Sequence, residues 1–140
     1  MKSGIIIDTS PLVAFIDKSD NYHHWTVETW KKLRSPLLTC EAVIAESCFL
    51  LKNVPGGESS ILSLLEAEAI AIPFNLSKEA KTIRQLMKQY ESVPMSLADA
   101  CLVRLSELTR ASIFTLDSDF RIYRQFKNKV IPVIMPEDNY

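Results

Sequence analysis

Five acidic residues stand where the chain is otherwise apolar, and together they could hold a divalent cation. Asp8 directly follows Ile5-Ile6-Ile7, and Asp117 directly follows Ile113-Phe114-Thr115-Leu116, with Asp119 two residues on. Glu46 and Asp99 fall within helical periodicity instead. Three or four positions from Glu46 are Ala42, Val43, Phe49 and Leu50, and at the same offsets from Asp99 are Met95, Leu102 and Val103. Both carboxylates therefore interrupt stripes expected to be buried. Two carboxylates about 4 Å apart repel by about 4 kcal/mol at an effective dielectric near 20, so a cluster needs a cation or strongly raised pKa values. With oxygen ligands alone, and neither His nor Cys among them, Mg²⁺ or Mn²⁺ is the expected ion. Such an ion keeps waters that a phosphate can displace, which indicates metal-assisted phosphodiester hydrolysis.

Each acid also has a plainer reading. Glu46 could reach solvent at the edge of its stripe, and Asp99 could simply complete a capping box with Ser96. Asp117-Ser118-Asp119 could be an ordinary polar turn. What favours a site is convergence: two acids at strand ends and two on helix faces would meet in one crevice.

The elements that must bring them there alternate between strand and helix. Ile5 to Ile7 reads as a strand buried on both faces, and a helix follows, capped by Thr9 or Ser10 with Pro11 in its first turn and continuing through Leu12 to Asp17. A second helix is expected at about Tyr22 to Arg34, with Lys31, Lys32 and Arg34 in its last turn. Leu37-Leu38 is a short strand, Thr39 caps a helix from Cys40 to about Lys52, and Pro55-Gly56-Gly57 is the clearest break. A helix from about Glu58 to Ala67 leads to a strand near Ala69 to Ile72. Ser77 caps a long amphipathic helix through Tyr90, and Ser96 opens another that reaches Leu108. Ile113 to Leu116 is a further buried strand. Val130 to Ile134 is the last, placed at an edge by Pro132. This alternation implies an α/β protein with a parallel sheet covered on both faces, where ligands bind beyond the carboxyl ends of the strands.

Composition sets the outer limits. The 140 residues, 47% apolar, suit one compact domain. No stretch approaches the roughly 20 apolar residues of a membrane span, and Met1-Lys2-Ser3-Gly4 followed at once by a strand does not read as a secretory signal, so a soluble, cytoplasmic protein is expected. Cys40, Cys48 and Cys101 match no zinc spacing and read as buried reduced thiols. Sixteen basic and seventeen acidic residues give a net charge of −1. With the five acids set aside, twelve acids face sixteen bases, and the remaining +4 suits a polyanion held at an acidic, metal-loaded pit.

The acidic pieces, in order, resemble those of the PIN-domain nucleases, and within them the VapC-type toxins of prokaryotic toxin–antitoxin modules. They are the strand ending in Asp8-Thr9-Ser10, Ala45-Glu46-Ser47, Ser96-Leu97-Ala98-Asp99-Ala100 and Thr115-Leu116-Asp117-Ser118-Asp119-Phe120. The resemblance implies a three-layer α/β/α sandwich with a mostly parallel central sheet, one such domain over residues 1–140, and an Mg²⁺- or Mn²⁺-dependent ribonuclease site. Carried over by position, Asp8, Glu46, Asp99 and Asp117 match the acidic quartet and Asp119 an additional acid. Asp8 and Asp117 would bind ions directly, Glu46 and Asp99 directly or through water. Thr115 matches a supporting hydroxyl, with Thr9 or Ser10 able to do likewise. The family also implies an RNA substrate, homodimers and inhibition by a small antitoxin protein. PIN domains that serve in RNA processing, and a non-catalytic RNA-binding scaffold, are the alternatives.

Other features carry less. Phe120 to Lys129 mixes the cations Arg121, Arg124, Lys127 and Lys129 with three aromatics, a pattern that suits single-stranded RNA but also a solvated segment with rings in the core. Trp25 and Trp30 could line a peptide groove or belong to the core. His23 and His24 are about 100° apart on a helix and cannot easily act as a paired acid and base. An aspartyl-nucleophile phosphatase would have an acid where Ser10 stands, and a phospho-receiver would have an acid adjacent to Asp8.

Overall fold

The computed structural model describes residues 4–136. Its framework is a five-stranded, all-parallel sheet of order β3-β2-β1-β4-β7, comprising β1 (Ile5–Ile7), β2 (Leu37–Leu38), β3 (Ile70–Ala71), β4 (Ser112–Phe114) and β7 (Val133–Ile134). The central pair is in register Ile5↔Ser112, Ile6↔Ile113 and Ile7↔Phe114. Ile6, Ile7, Ile113 and Phe114 are fully buried, which is why these strands read as unbroken apolar runs rather than alternating ones.

The chain steps outward from β1 to β2 and β3, then crosses back over both to lay β4 on the other side of β1. Right-handed crossovers in opposite directions put their helices on opposite faces. On one side α1 (Thr9–Ile16), α2 (His23–Trp30), α3 (Glu41–Leu50) and α4 (Gly57–Glu66) pack among themselves. On the other, α5 (Leu76–Gln89) packs on α6 (Leu97–Thr109), which lies against β1 and β4. The expected α/β/α architecture is thus the observed one. Because the strand order reverses beside β1, a crevice opens between β1 and β4, the position where open α/β sheets bind ligands.

Several local expectations need correction. The segment expected as one strand, Val130 to Ile134, is split by Pro132: β6 (Lys129–Val130) pairs antiparallel with β5 (Arg124–Gln125), and only β7 joins the sheet, at its edge. The second helix stops at Trp30, so Lys31, Lys32 and Arg34 lie beyond its last turn, with Lys31 paired to Glu28 at the surface. Asn75, not Ser77, caps α5 by accepting from Lys78 N–H. Pro55-Gly56-Gly57 is the break it promised to be. Gly56 has φ +71°, and a Cβ on Gly57 would come within 2.8 Å of the Leu51 backbone oxygen. Cys40 and Cys101 are buried and Cys48 partly so, and all three are free. Trp25 and Trp30 pack against the core, Trp25 on Phe114 and Trp30 on Phe15. Among the described residues no helix is long and apolar enough to cross a membrane. Met1 and the rest of the leading tripeptide lie outside them.

Candidate active site

At the carboxyl end of β1, Asp8 is held by three contacts that follow from strand pairing. Its N–H continues the ladder to the Phe114 carbonyl (3.0 Å). Oδ1 accepts the Thr9 N–H (2.7 Å), so Asp8 itself, rather than Thr9 or Ser10, caps α1. Oδ2 accepts the hydroxyl of Thr115 (2.7 Å), which in turn accepts the Asp117 N–H (2.9 Å). Asp117 then caps a short 3₁₀ turn, Ser118–Arg121, by accepting the Asp119 N–H at 2.9 Å. From the other strand end, Ser10 Oγ accepts the Leu116 N–H (3.2 Å). Thr115, fully buried, therefore ties the two strand-end acids together.

The helix acids arrive differently. Asp99 is at the start of α6, where both halves of the capping box with Ser96 are present. It nevertheless faces the same cleft, so the cap and the site are one arrangement. Glu46 also lines the cleft but is exposed, and only half of the buried stripe it was expected to interrupt exists: Ala42 and Val43 pack into the core, whereas Phe49 and Leu50 are 62% and 54% exposed. The face of α3 turned to the core is Val43 and Ser47 instead.

Asp8, Glu46, Asp99, Asp117 and Asp119 line one open cleft of about 360 Å³, together with Thr9, Ser10, Leu50, Pro94 and Ser96. No basic side chain lines it, and none of the five acids forms a salt bridge among the described residues. Burial, foremost, lifts the Asp8 carboxyl from 3.8 to about 7, against the hydrogen bonds from Thr115 and Thr9 and with help from the charges of Asp99 and Asp117. Burial likewise raises Asp99, opposed by its bonds with Ser96 and Tyr123 and reinforced by Asp117.

An all-oxygen, all-anionic lining with no internal counter-charge is the donor chemistry a hard divalent cation requires, and in that respect the residues fit one. The fit is one of charge and ligand type. Among the described residues no three acidic, histidine or cysteine side chains form a preassembled metal cage.

The aromatic and basic segment resolves into separate parts. Phe120 and Tyr123 are completely buried and unavailable for stacking on RNA. Tyr123 is instead a site residue that sequence reasoning missed: its hydroxyl donates to Asp99 Oδ2 (3.0 Å) and lies 3.4 Å from the Pro94 carbonyl oxygen. Burial and the negative charge of Asp99 raise its phenol, so it stays a donor. An aromatic three residues beyond the 3₁₀ turn's Phe120 gave no sign of this in the sequence. Arg124 Nη1 is turned onto the carbonyls of Arg121, Ile122 and Tyr123. Arg121 is exposed, and Lys127 lines a different cavity, so none of the segment's four cations, Arg121, Arg124, Lys127 and Lys129, lines the acidic cleft.

A parallel α/β sheet with acids gathered at its switch point defines a class of acid-lined α/β domain, and sequence comparison assigns the family. The PIN domain family model matches residues 5–125, and the chain belongs to the PIN domain family. No curated protein matches the sequence. Among solved structures, the crystal structure of Mycobacterium tuberculosis VapC20, described as a sarcin–ricin loop cleaving toxin, is similar, with a TM-score of 0.75 and 15% identity over 83% of this chain and 92% of that one. At this identity the likeness is one of fold.

Proposed function

We propose that the protein is a divalent-metal-dependent endoribonuclease that hydrolyses RNA phosphodiester bonds and acts as the toxin of a VapBC-type module. Its partners would be an RNA substrate and a cognate antitoxin, its assembly a homodimer and its location the cytoplasm. The observation that carries the reading is the cleft itself, in which five carboxylates converge without a single basic neighbour. Membership of the PIN family and the fold shared with a sarcin–ricin loop cleaving toxin support the choice of substrate.

In this reading Asp8 and Asp117 would hold Mg²⁺ or Mn²⁺ directly, Glu46 and Asp99 would do so directly or through water, and Asp119 would complete the set. When bound, the metal supplies positive charge that activates water and steadies the leaving oxygen. The protein's share is orientation. Thr115 and the Thr9 N–H fix both oxygens of Asp8, while the Ser96 cap and Tyr123 fix Asp99. Asp8 takes up or gives away a proton near neutrality, so occupation of the cleft by a cation favours its ionised form. Arg121, exposed just past Asp119, would meet the RNA backbone.

The test uses purified protein freed of any partner and incubated with RNA in EDTA, Mg²⁺ or Mn²⁺. Metal-dependent cleavage that falls at least about 100-fold in Asp8→Asn and in Asp117→Asn is expected, the scale on which essential electrostatic groups act. Absence of cleavage with either metal would overturn the nuclease reading in favour of a binding module. Full activity of Asp8→Asn would overturn the site.

A further inference from the structure

The β5–β6 hairpin, whose residues do not line the acidic cleft, carries backbone strain that its place in the fold does not require. Phe126 and Lys127 have φ of +50° and +71°, a region that bulky side chains seldom enter and that glycine or asparagine would occupy without penalty. The Asn128 N–H closes on the Phe126 carbonyl at 2.9 Å, and the Phe126 N–H donates to Glu107 Oε2 at 2.7 Å. Held in this way, the Phe126 ring is 37% exposed. The Arg110 guanidinium is 5.3 Å and Lys129 Nζ 5.9 Å from its centre. Arg110 also has a left-handed backbone, φ +57°, at the end of α6. Strained residues that gather cations around an exposed ring point toward a ligand.

Beside the ring is a cavity of about 230 Å³ whose walls include Gln85, Gln89, Glu107, Phe126 and Lys127. Lys127 and Glu107 balance one another in the cavity wall, and Arg110 and Lys129 over the ring add positive charge beside it. Arg110, Lys127 and Lys129 form no salt bridge among the described residues, whereas Glu107 is committed to Arg104 at 3.0 Å and to the Phe126 N–H. A ring for stacking, side-chain amides for base edges and cations for phosphate are the three needs of an unpaired nucleotide.

We propose that the hairpin, Arg110 and the adjoining face of α5 form a subsite for one unpaired base of single-stranded RNA and its flanking phosphates. This rests on the RNA reading given above. The helix α6 connects the two places. It starts at the cleft with Asp99 and reaches Glu107 about 12 Å further along, a span that one RNA strand can bridge.

The test is the affinity of a fluorescein-labelled single-stranded RNA, measured by anisotropy in EDTA, with a 2-aminopurine version of the same strand reporting stacking. Phe126→Leu should weaken binding about tenfold and abolish the 2-aminopurine quench. Gln85→Ala and Lys129→Gln, at exposed positions that leave the core intact, should each weaken binding about threefold. Wild-type affinity in all three variants would overturn the proposal. So would an equal loss of affinity for dextran sulfate, which would reduce the face to simple electrostatics. Unchanged RNA affinity with altered self-association in sedimentation would also overturn it, assigning the face to a second copy of the chain. Metal-dependent cleavage by the wild type is scored separately, so a failed subsite and a failed nuclease reading give different results.

Discussion

Replacing Asp8 by asparagine should stabilise the metal-free protein at pH 8 and do nothing of the kind at pH 4. In the fold this carboxyl titrates near 7, against 3.8 without its surroundings. Between those values the folded state holds a proton that the unfolded state has released, so stability falls as pH rises. The contribution is complete below about pH 3.8 and gone once pH has passed through about 7. A little over three decades of proton affinity, at 1.36 kcal/mol per tenfold, amounts to about 4 kcal/mol. Asparagine cannot ionise, but it keeps an acceptor for only one of Thr9 N–H and the Thr115 hydroxyl and forfeits about 1 kcal/mol of hydrogen bonding. The net gain at pH 8 is therefore about 3 kcal/mol, or roughly 10 °C in Tm for a chain of this size. Thermal unfolding of both proteins in EDTA from pH 4.5 to 8.5 measures it. Saturating Mn²⁺ should stabilise the wild type at pH 8 far more than the variant. A variant less stable than wild type at pH 8, or a difference that does not change with pH, would refute the account of Asp8.

Further outcomes follow from the same contacts. Thr115→Val removes a donor from Asp8 and an acceptor from the Asp117 N–H. It should cost about 1–3 kcal/mol in urea unfolding and move the pH at which Asp8 titrates further upward. Tyr123→Phe frees Asp99 Oδ2. It should raise the Mn²⁺ concentration needed for half-saturation, followed by electron paramagnetic resonance, by about five- to tenfold while costing only about 1 kcal/mol of stability. A variant that binds Mn²⁺ like the wild type would reduce Tyr123 to a packing residue.

The sheet was legible because its strands are short apolar runs ending in Asp8 and Asp117, and because turns, caps and prolines punctuate what lies between. The place of Asp99 on a buried helix face was legible from its neighbours, since Met95, Leu102 and Val103 are buried beside it. Glu46 lines the cleft for a different reason from the one its neighbours suggested. Helical spacing reports which residues share a face but not which face is covered, and α3 turns Phe49 and Leu50 outward. Asp8 as helix cap was missed because a cap is judged against its successors, and Thr9-Ser10 offered two ordinary candidates. Tyr123 and the split last strand were beyond local reasoning. The first depends on a side chain reaching Asp99 from 24 residues away, the second on a hairpin whose turn residues, Phe126 and Lys127, violate turn preferences.

The bond between Thr115 and Asp8 joins positions 107 residues apart, and this has a bearing on when the cleft can form during synthesis. A chain caught midway through synthesis has its first acid but neither the last pair nor the strand that would hold them, so the acids stay apart until β4 has been made and paired with β1.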